Sequence, residues 1–193
     1  MISALLLAAG ESRRMGDFKQ LLRFGDKSFV EHCVDNLLAS QVAEVIVVTG
    51  HRESDVKRAL SDRPVMFAHN SEYKSGMTSS IKRGIRAVSE TGKACVLALV
   101  DQPRIAPGVI NRIIETYEKA QPIIVIPTYR GENGHPILID MKLKDEILKM
   151  DPSEGLRQVV HAHQSEIVRV EVSDQSVLED CDSPEDYERI LKL

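Results

Sequence analysis

Long apolar runs, paired cysteines and an excess of positive charge are all missing from this chain of 193 residues. Nothing in it approaches the roughly 18 to 20 consecutive apolar residues that a membrane-spanning helix needs. The N-terminal stretch MISALLLAAG has neither a basic leading segment nor a spaced cleavage site, so no secretory signal is expected. Cys33, Cys95 and Cys181 are odd in number and far apart, with no CxxC or CxxH spacing. That argues against a disulfide framework or a thiolate metal site, and a reduced, cytoplasmic setting is expected. His161 and His163 are the only histidines near ligand spacing, and at i, i+2 they share a face only on a strand; they read as structural. The net charge of −4 supplies no overall field to recruit nucleic acid or an anionic membrane. Neither is an expected partner, and any anion site has to be local.

What is present is the patterning of an α/β protein. An apolar fraction of 42% and a charged fraction of 28% are ordinary for a globular chain, and the length suits one domain over residues 1–193. Residues 2–8, 44–49, 65–69, 94–99 and 123–127 read as buried strands, and 29–38, 54–60, 78–89 and 108–120 as helices between them. Such alternation requires right-handed crossovers and a mostly parallel sheet, which gives an α/β fold of the three-layer α/β/α, Rossmann-like kind. Beyond residue 127 the pattern changes. A polar turn at 129–134 precedes a strand at 136–140, short helices at 142–150 and 155–161, and a late strand at 167–172, expected to be antiparallel at an edge. Ser183-Pro184-Glu185-Asp186 carries the N-cap serine, N1 proline and early acids of a final helix.

The stretch LLAAGESRRMGDFKQLL, residues 6–22, lies at the carboxyl end of the first strand, where open α/β sheets bind ligands. Gly10 and Gly16 permit tight turns that bring N–H groups close to phosphate oxygens. Arg13, Arg14 and Lys19 would add charge-assisted contacts. On these residues alone, a polyanion loop and an ordinary turn with surface arginines are equally open. Two common phosphate loops are excluded by spacing. Five residues separate Gly10 from Gly16 and Asp17 follows, so GxxxxGK[ST] fails; Gly10 has no glycine two positions on, so GxGxxG fails too. Residues 18–25 read as a further loop or short turn before the helix near Ser28.

LAAGESRRMGDFKQLL resembles the LAAGxSxRMGxxKxLL signature of the molybdenum cofactor cytidylyltransferases, in the wider MobA-like nucleotidyltransferase superfamily. The likeness continues in order along the chain. His69-Asn70-Ser71-Glu72-Tyr73 and Gly76-Met77-Thr78-Ser79-Ser80-Ile81 resemble the family's HNPxYxxGMxxSI, and Asp101-Gln102-Pro103 its D[MQ]P. Gly134-His135-Pro136 resembles its GHP, and the segment from Asp180 to Asp186 its DIDTPED. The first motif is shared across the superfamily; GHP and the Gly76 to Ile81 segment are more particular to the cytidylyl branch.

The resemblance implies a single MobA-like NTP transferase domain of the nucleotide-diphospho-sugar transferase type, a mostly parallel sheet with an antiparallel edge element. It implies transfer of CMP from CTP to the phosphate of molybdenum-molybdopterin, releasing pyrophosphate. Lys19, Arg14 and Asp101 would be catalytic, with Ala8, Ala9, Gly10, Ser12, Arg13, Met15 and Gly16 around the triphosphate. Ser79, Ser80 and Gly84 would lie against base and ribose, Asp101 and Asp182 would hold Mg²⁺, and Gly134, His135 and Pro136 would meet the acceptor. CTP and molybdenum-molybdopterin are the implied partners, together with a molybdoenzyme or its insertion chaperone. Bland roles stay open at each position: solvated surface for Lys19, turn initiation for Asp101, helix-start electrostatics for Asp182, capping for Ser80 and a structural turn for His135. Rival functions are transfer of GMP, a sugar or polyol phosphate acceptor, or a non-catalytic maturation factor for a xanthine-dehydrogenase-like enzyme. A redox role is disfavoured by the missing nicotinamide fingerprint. Glu11 stands where the family often has a small or polar neutral residue, placing a carboxylate in the cationic loop.

Overall fold

The apolar run after Met1 forms β1 (Ile2–Leu7) in the computed structural model, which describes residues 1–192. Ala4, Leu6 and Ala8 enter one hydrophobic layer and Leu5, Leu7 and Ala9 the other, the two-residue period of a strand buried on both faces. The chain then passes through a short hairpin of β2 (Arg23–Phe24) and β3 (Lys27–Ser28) into α1 (Phe29–Leu38). Ser28 starts that helix with a capping box, its N–H donating to the Glu31 carboxylate at 2.8 Å. There follow β4 (Glu44–Thr49), α2 (Glu53–Ala59), β5 (Met66–His69), α3 (Met77–Ala87), β6 (Ala94–Leu99) and α4 (Pro107–Ala120). The remainder is β7 (Ile124–Tyr129), β8 (Glu132–Asn133), β9 (Ile137–Asp140), α5 (Lys144–Lys149), α6 (Leu156–Ala162), β10 (Ile167–Glu171) and α7 (Pro184–Ile190).

The main sheet has the order β10-β7-β9-β6-β1-β4-β5, with β8 paired to β7 alone. Strands β6, β1, β4 and β5 are mutually parallel, as buried strands joined by helices must be. Helices α1, α2 and α4 cover one face and α3, α5 and α6 the other, so the three-layer α/β/α class stands. No helix among the described residues is long and apolar enough to cross a membrane.

Two expectations for the last third are corrected. The antiparallel strand of the main path is β9, set inside the sheet between β6 and β7. The late strand β10 does occupy an edge, but it runs parallel to β7. The cause is the turn after β7, where Arg130 (φ +52°) and Gly131 (φ +82°) reverse the chain and send β9 back alongside it. Helices α5 and α6 return the chain to the end where β9 finished, so β10 starts level with β7: Ile167 pairs with Ile124. Residues 18–25, read as a loop or short turn, contain a 3₁₀ turn (Lys19–Leu21) and, beyond that reading, β2, the first strand of the β2–β3 hairpin.

The C-terminal segment is fastened across the carboxyl ends of the strands. Gly134 approaches Val177 so closely that an added Cβ would stand 2.5 Å from the Val177 carbonyl oxygen, and the His135 N–H donates to that same oxygen at 2.9 Å. Because the obstacle is backbone, Gly134→Ala is expected to destabilise the fold by about 1–3 kcal/mol. Chemical denaturation measures this; an unchanged midpoint would mean that the segment is held without that contact.

Candidate active site

Lys19 lies at the start of the 3₁₀ turn and is only 8% exposed. Its neighbour Phe18 anchors the turn from below, edge-on to His51 (5.7 Å between centroids) with the Arg52 guanidinium 4.6 Å above its ring. The Lys19 ammonium lies 2.8 Å from Asp182 Oδ1 and 3.3 Å from Asp101 Oδ2. Arg14 reaches the other Asp182 oxygen at 2.9 Å. Three segments far apart in sequence thus meet at one ammonium, and the two carboxylates are balanced by two cations. The surface role for Lys19 falls, because a lysine is rarely buried unless paired.

The carboxylates differ in electrostatics. Asp101 follows β6, and its backbone carbonyl accepts from the Cys181 N–H at 3.1 Å, which ties the Asp101 turn to the segment that carries Asp182. Burial pushes the Asp101 carboxyl above its ordinary pKa; Lys19 opposes the shift, while Asp180 and Asp182 reinforce it. Its Oδ1 is buried with no hydrogen-bond partner among the described residues. Asp182 goes the other way, held below the usual carboxylate range by the Lys19 hydrogen bond, with Arg14 helping. The expected N-cap also appears: the N–H groups of Asp182 and Ser183 donate to Asp186 at 3.0 and 2.9 Å, which fixes Asp182 at the start of α7. Both readings of Asp182, helix start and cluster member, are therefore realised by the same turn.

A cleft of about 330 Å³ opens on this cluster. Gly10, Ser12, Arg13 and Arg14 wall it on the loop side and Ser80 on the α3 side. Tyr73, Gly76 and Met77 also line it, and no separate role for them follows from the sequence. Glu11 pairs with Arg13 at 2.6 Å, so the departing carboxylate meets a loop arginine. Ser80 does not cap α3, whose N-cap is Gly76; its hydroxyl accepts from Asn70 Nδ2 at 3.0 Å. Thr49 is fully buried and its hydroxyl donates to Glu53 at 3.0 Å. His51 stands between Phe18 and Tyr73 as an aromatic neighbour.

Several residues of the expected nucleotide set are placed elsewhere. Gly84 faces the sheet, where a Cβ would come within 3.1 Å of Leu5 and Val48; its small size serves helix–sheet packing. Met15 is buried with Phe29, Cys181 and Ile190, an anchor beneath the loop. Ala8 belongs to the core, and Gly16 sits in the turn at φ +77°. Ser79 Oγ accepts from Asn70 Nδ2 at 2.8 Å and lies within 3.0 Å of the Glu72 and Gly76 carbonyls, bracing the turn before α3. The Gly134-His135-Pro136 turn is outside the lining of this cleft, tied to Val177 and within the field of Asp180 and Asp101. Burial lowers the His135 imidazole below its ordinary pKa, against the pull of the Asp180 and Asp101 carboxylates, so the ring is neutral at pH 7.

Residues 4–167 match the MobA-like NTP transferase domain. The molybdenum cofactor cytidylyltransferase of Escherichia coli (strain K12) is 25% identical, the alignment covering 96% of this chain and 93% of that protein. The nicotine blue oxidoreductase of Paenarthrobacter nicotinovorans is 27% identical, covering 98% and 96%. Among solved structures, Rv0371c from Mycobacterium tuberculosis H37Rv superposes with a TM-score of 0.87 at 26% identity, covering 100% of this chain and 97% of that one. A complex of the same protein with manganese gives 0.83 at 25% identity, covering 100% and 98%. With the ordered motifs and the full-length structural likeness in agreement, the chain belongs to the MobA-like NTP transferase family.

Proposed function

We propose that this nucleotidyltransferase moves CMP from CTP to the phosphate of molybdenum-molybdopterin, releasing pyrophosphate. The observation that carries the reading is the buried Lys19 ammonium between Asp101 and Asp182, beside a cationic loop after β1. The E. coli relative's name and the GHP and Gly76 to Ile81 likenesses support the cytidylyl choice. The oxidoreductase relative offers the rival reading, against which stands the absence of a GxGxxG dinucleotide fingerprint after β1.

In this reaction an oxygen of the acceptor phosphate bonds to the α-phosphorus of CTP. The bond from that phosphorus to the bridging oxygen breaks, and pyrophosphate leaves with the electron pair. An ionised phosphate needs no general base, so the protein's task is positioning and charge. Arg13 and Arg14 have side chains 78% and 77% exposed, and each would leave its carboxylate partner, Glu11 or Asp182, to close on the triphosphate. Lys19 would exchange carboxylate contacts for phosphate ones, and neutral His135 would donate or accept a hydrogen bond at the acceptor.

The residues present fit Mg²⁺. Asp101 Oδ1 lacks a partner, and Asp182 faces it across Lys19. No cluster of three or more His, Cys, Asp or Glu among the described residues could hold a metal with protein groups alone. Mg²⁺ keeps waters and substrate phosphates as ligands, so two carboxylates suffice. When bound it would supply positive charge against the triphosphate. The manganese complex of the mycobacterial relative supports this assignment.

The test is incubation with each nucleoside triphosphate, Mg²⁺ and molybdenum-molybdopterin, with pyrophosphate release as the readout. CTP is expected to react fastest. Equal or faster release with GTP, or release only with a sugar or polyol phosphate acceptor, overturns the cytidylyl assignment. The product must then pass to a molybdoenzyme or its insertion chaperone, the partner proposed here.

A further inference from the structure

Gln20 follows Lys19 in the 3₁₀ turn and is 1% exposed. A primary amide buried so deeply has to place two N–H donors and an oxygen. Its Nε2 donates to the Ala8 carbonyl at 3.0 Å and to the Gly10 carbonyl at 2.9 Å. Its Oε1 accepts from the Ser12 hydroxyl at 3.1 Å, and the same hydroxyl oxygen accepts from the Lys19 N–H at 3.1 Å. The intervening Ala9 carbonyl accepts from the His51 N–H at 3.0 Å. Three successive carbonyls of the loop are thus turned into the protein.

In a planar trans peptide the N–H points opposite to the C=O of the same unit. Fixing the carbonyls of Ala8, Ala9 and Gly10 inward therefore turns the N–H groups of Ala9, Gly10 and Glu11 the other way. None of those three has a protein acceptor among the described residues. Ala9 and Gly10 line the cleft, and Glu11 lies between its lining residues Gly10 and Ser12, so the freed donors lie along the loop wall. Ser12, held at φ +55°, continues the reversal.

We infer that Gln20 is a positioning residue for transfer: by holding the Ala8 and Gly10 carbonyls inward it presents the loop's amides to the nucleotide's phosphates. The inference rests on the nucleotidyl-transfer reading of the cleft. It assigns Gln20 no contact with substrate; its action is through the backbone.

Gln20→Met keeps the length and bulk but makes none of the three bonds. Gln20→Glu keeps the acceptor for Ser12 but donates to neither carbonyl when ionised and to at most one when protonated. Both are expected to weaken binding of CTP and of inorganic tripolyphosphate by about 10- to 100-fold, the scale of a buried polar group losing its partner. The KM for the acceptor is expected to stay within twofold, a split that general loosening of the fold would not produce. Should Gln20→Met fail to fold, Ser12→Ala at its half-exposed position removes the hydroxyl link and is expected to cost about three- to tenfold in tripolyphosphate affinity. Wild-type affinity in both folded Gln20 variants, or in Ser12→Ala where they do not fold, overturns this inference alone. A wild type that prefers GTP overturns only the cytidylyl reading. A wild type that binds neither tripolyphosphate nor any nucleotide overturns both.

Discussion

Lys19→Met is expected to lower kcat/KM for nucleotidyl transfer by roughly 10²- to 10³-fold, the usual cost of removing one preorganised donor at a site of developing charge. The lysine is the one cation in the cluster that the fold itself holds in place, with a side chain 10% exposed against 77% for Arg14. Arg14 would still reach Asp182 and could still meet the triphosphate, so binding should suffer less than turnover. Removing the ammonium also leaves Asp101 and Asp182 facing each other with their shared partner gone. Burial already disfavours the Asp101 anion, and the melting temperature should fall as well. Lys19→Arg restores the charge without the compact ammonium that fits between two carboxylates, and partial recovery is the expected result. Steady-state pyrophosphate release with varied CTP checks all three. Wild-type turnover by Lys19→Met would remove the lysine from the chemistry and leave the cluster as an ion pair that fastens the C-terminal segment.

Much of the fold up to residue 127 was legible because each element there announces itself locally. The β1 residues alternate between two layers, and the α1 stripe follows a serine with glutamate three positions on. The last third was not legible in the same way. The place of β9 between β6 and β7 and the direction of β10 depend on which strands pair, and pairing is a property of the assembled sheet. The site shows the same division. Lys19 lies 82 positions from Asp101 and 163 from Asp182, so no local pattern joins them. The family motifs set Asp101 beside Asp182 and gave Lys19 to the triphosphate, and the ammonium between the two carboxylates is visible only in the fold. Gly84 could have been placed from spacing alone: with Ile81, Ile85 and Val88 it falls on the apolar stripe of α3, the face that meets the sheet. Gln20 had no such signal. An amide between a lysine and two leucines looks like surface until its carbonyl partners are seen.

Asp101→Asn is expected to move activity and stability in opposite directions. Activity should fall by about 10²- to 10³-fold, because an amide offers one weaker oxygen where the proposed metal needs an anionic ligand. Mn²⁺ binding in the presence of CTP, followed directly, should weaken at least ~10-fold. Stability should rise, because burial sets the Asp101 pKa above its ordinary value and outweighs the help from Lys19. A carboxyl whose pKa is higher folded than unfolded opposes folding once ionised. Its unfavourable contribution is absent below the unfolded pKa, grows between the two values and is full above the folded one. The melting temperature of Asp101→Asn should therefore exceed that of the wild type at pH 7 to 8, and the two should converge as the pH falls toward the ordinary aspartate range. A variant less stable than wild type at pH 7 would mean that the Lys19 pair outweighs desolvation, making Asp101 a structural ion-pair member first. If Asp101→Asn still matured a client molybdoenzyme while its metal binding was lost, the chain would act as a delivery factor, and the transfer reading would fall. Loss of both, with a gain in stability, is the combination that places strain at Asp101 in the service of chemistry: a buried anion kept at a net cost to folding because a metal-bound triphosphate requires it there.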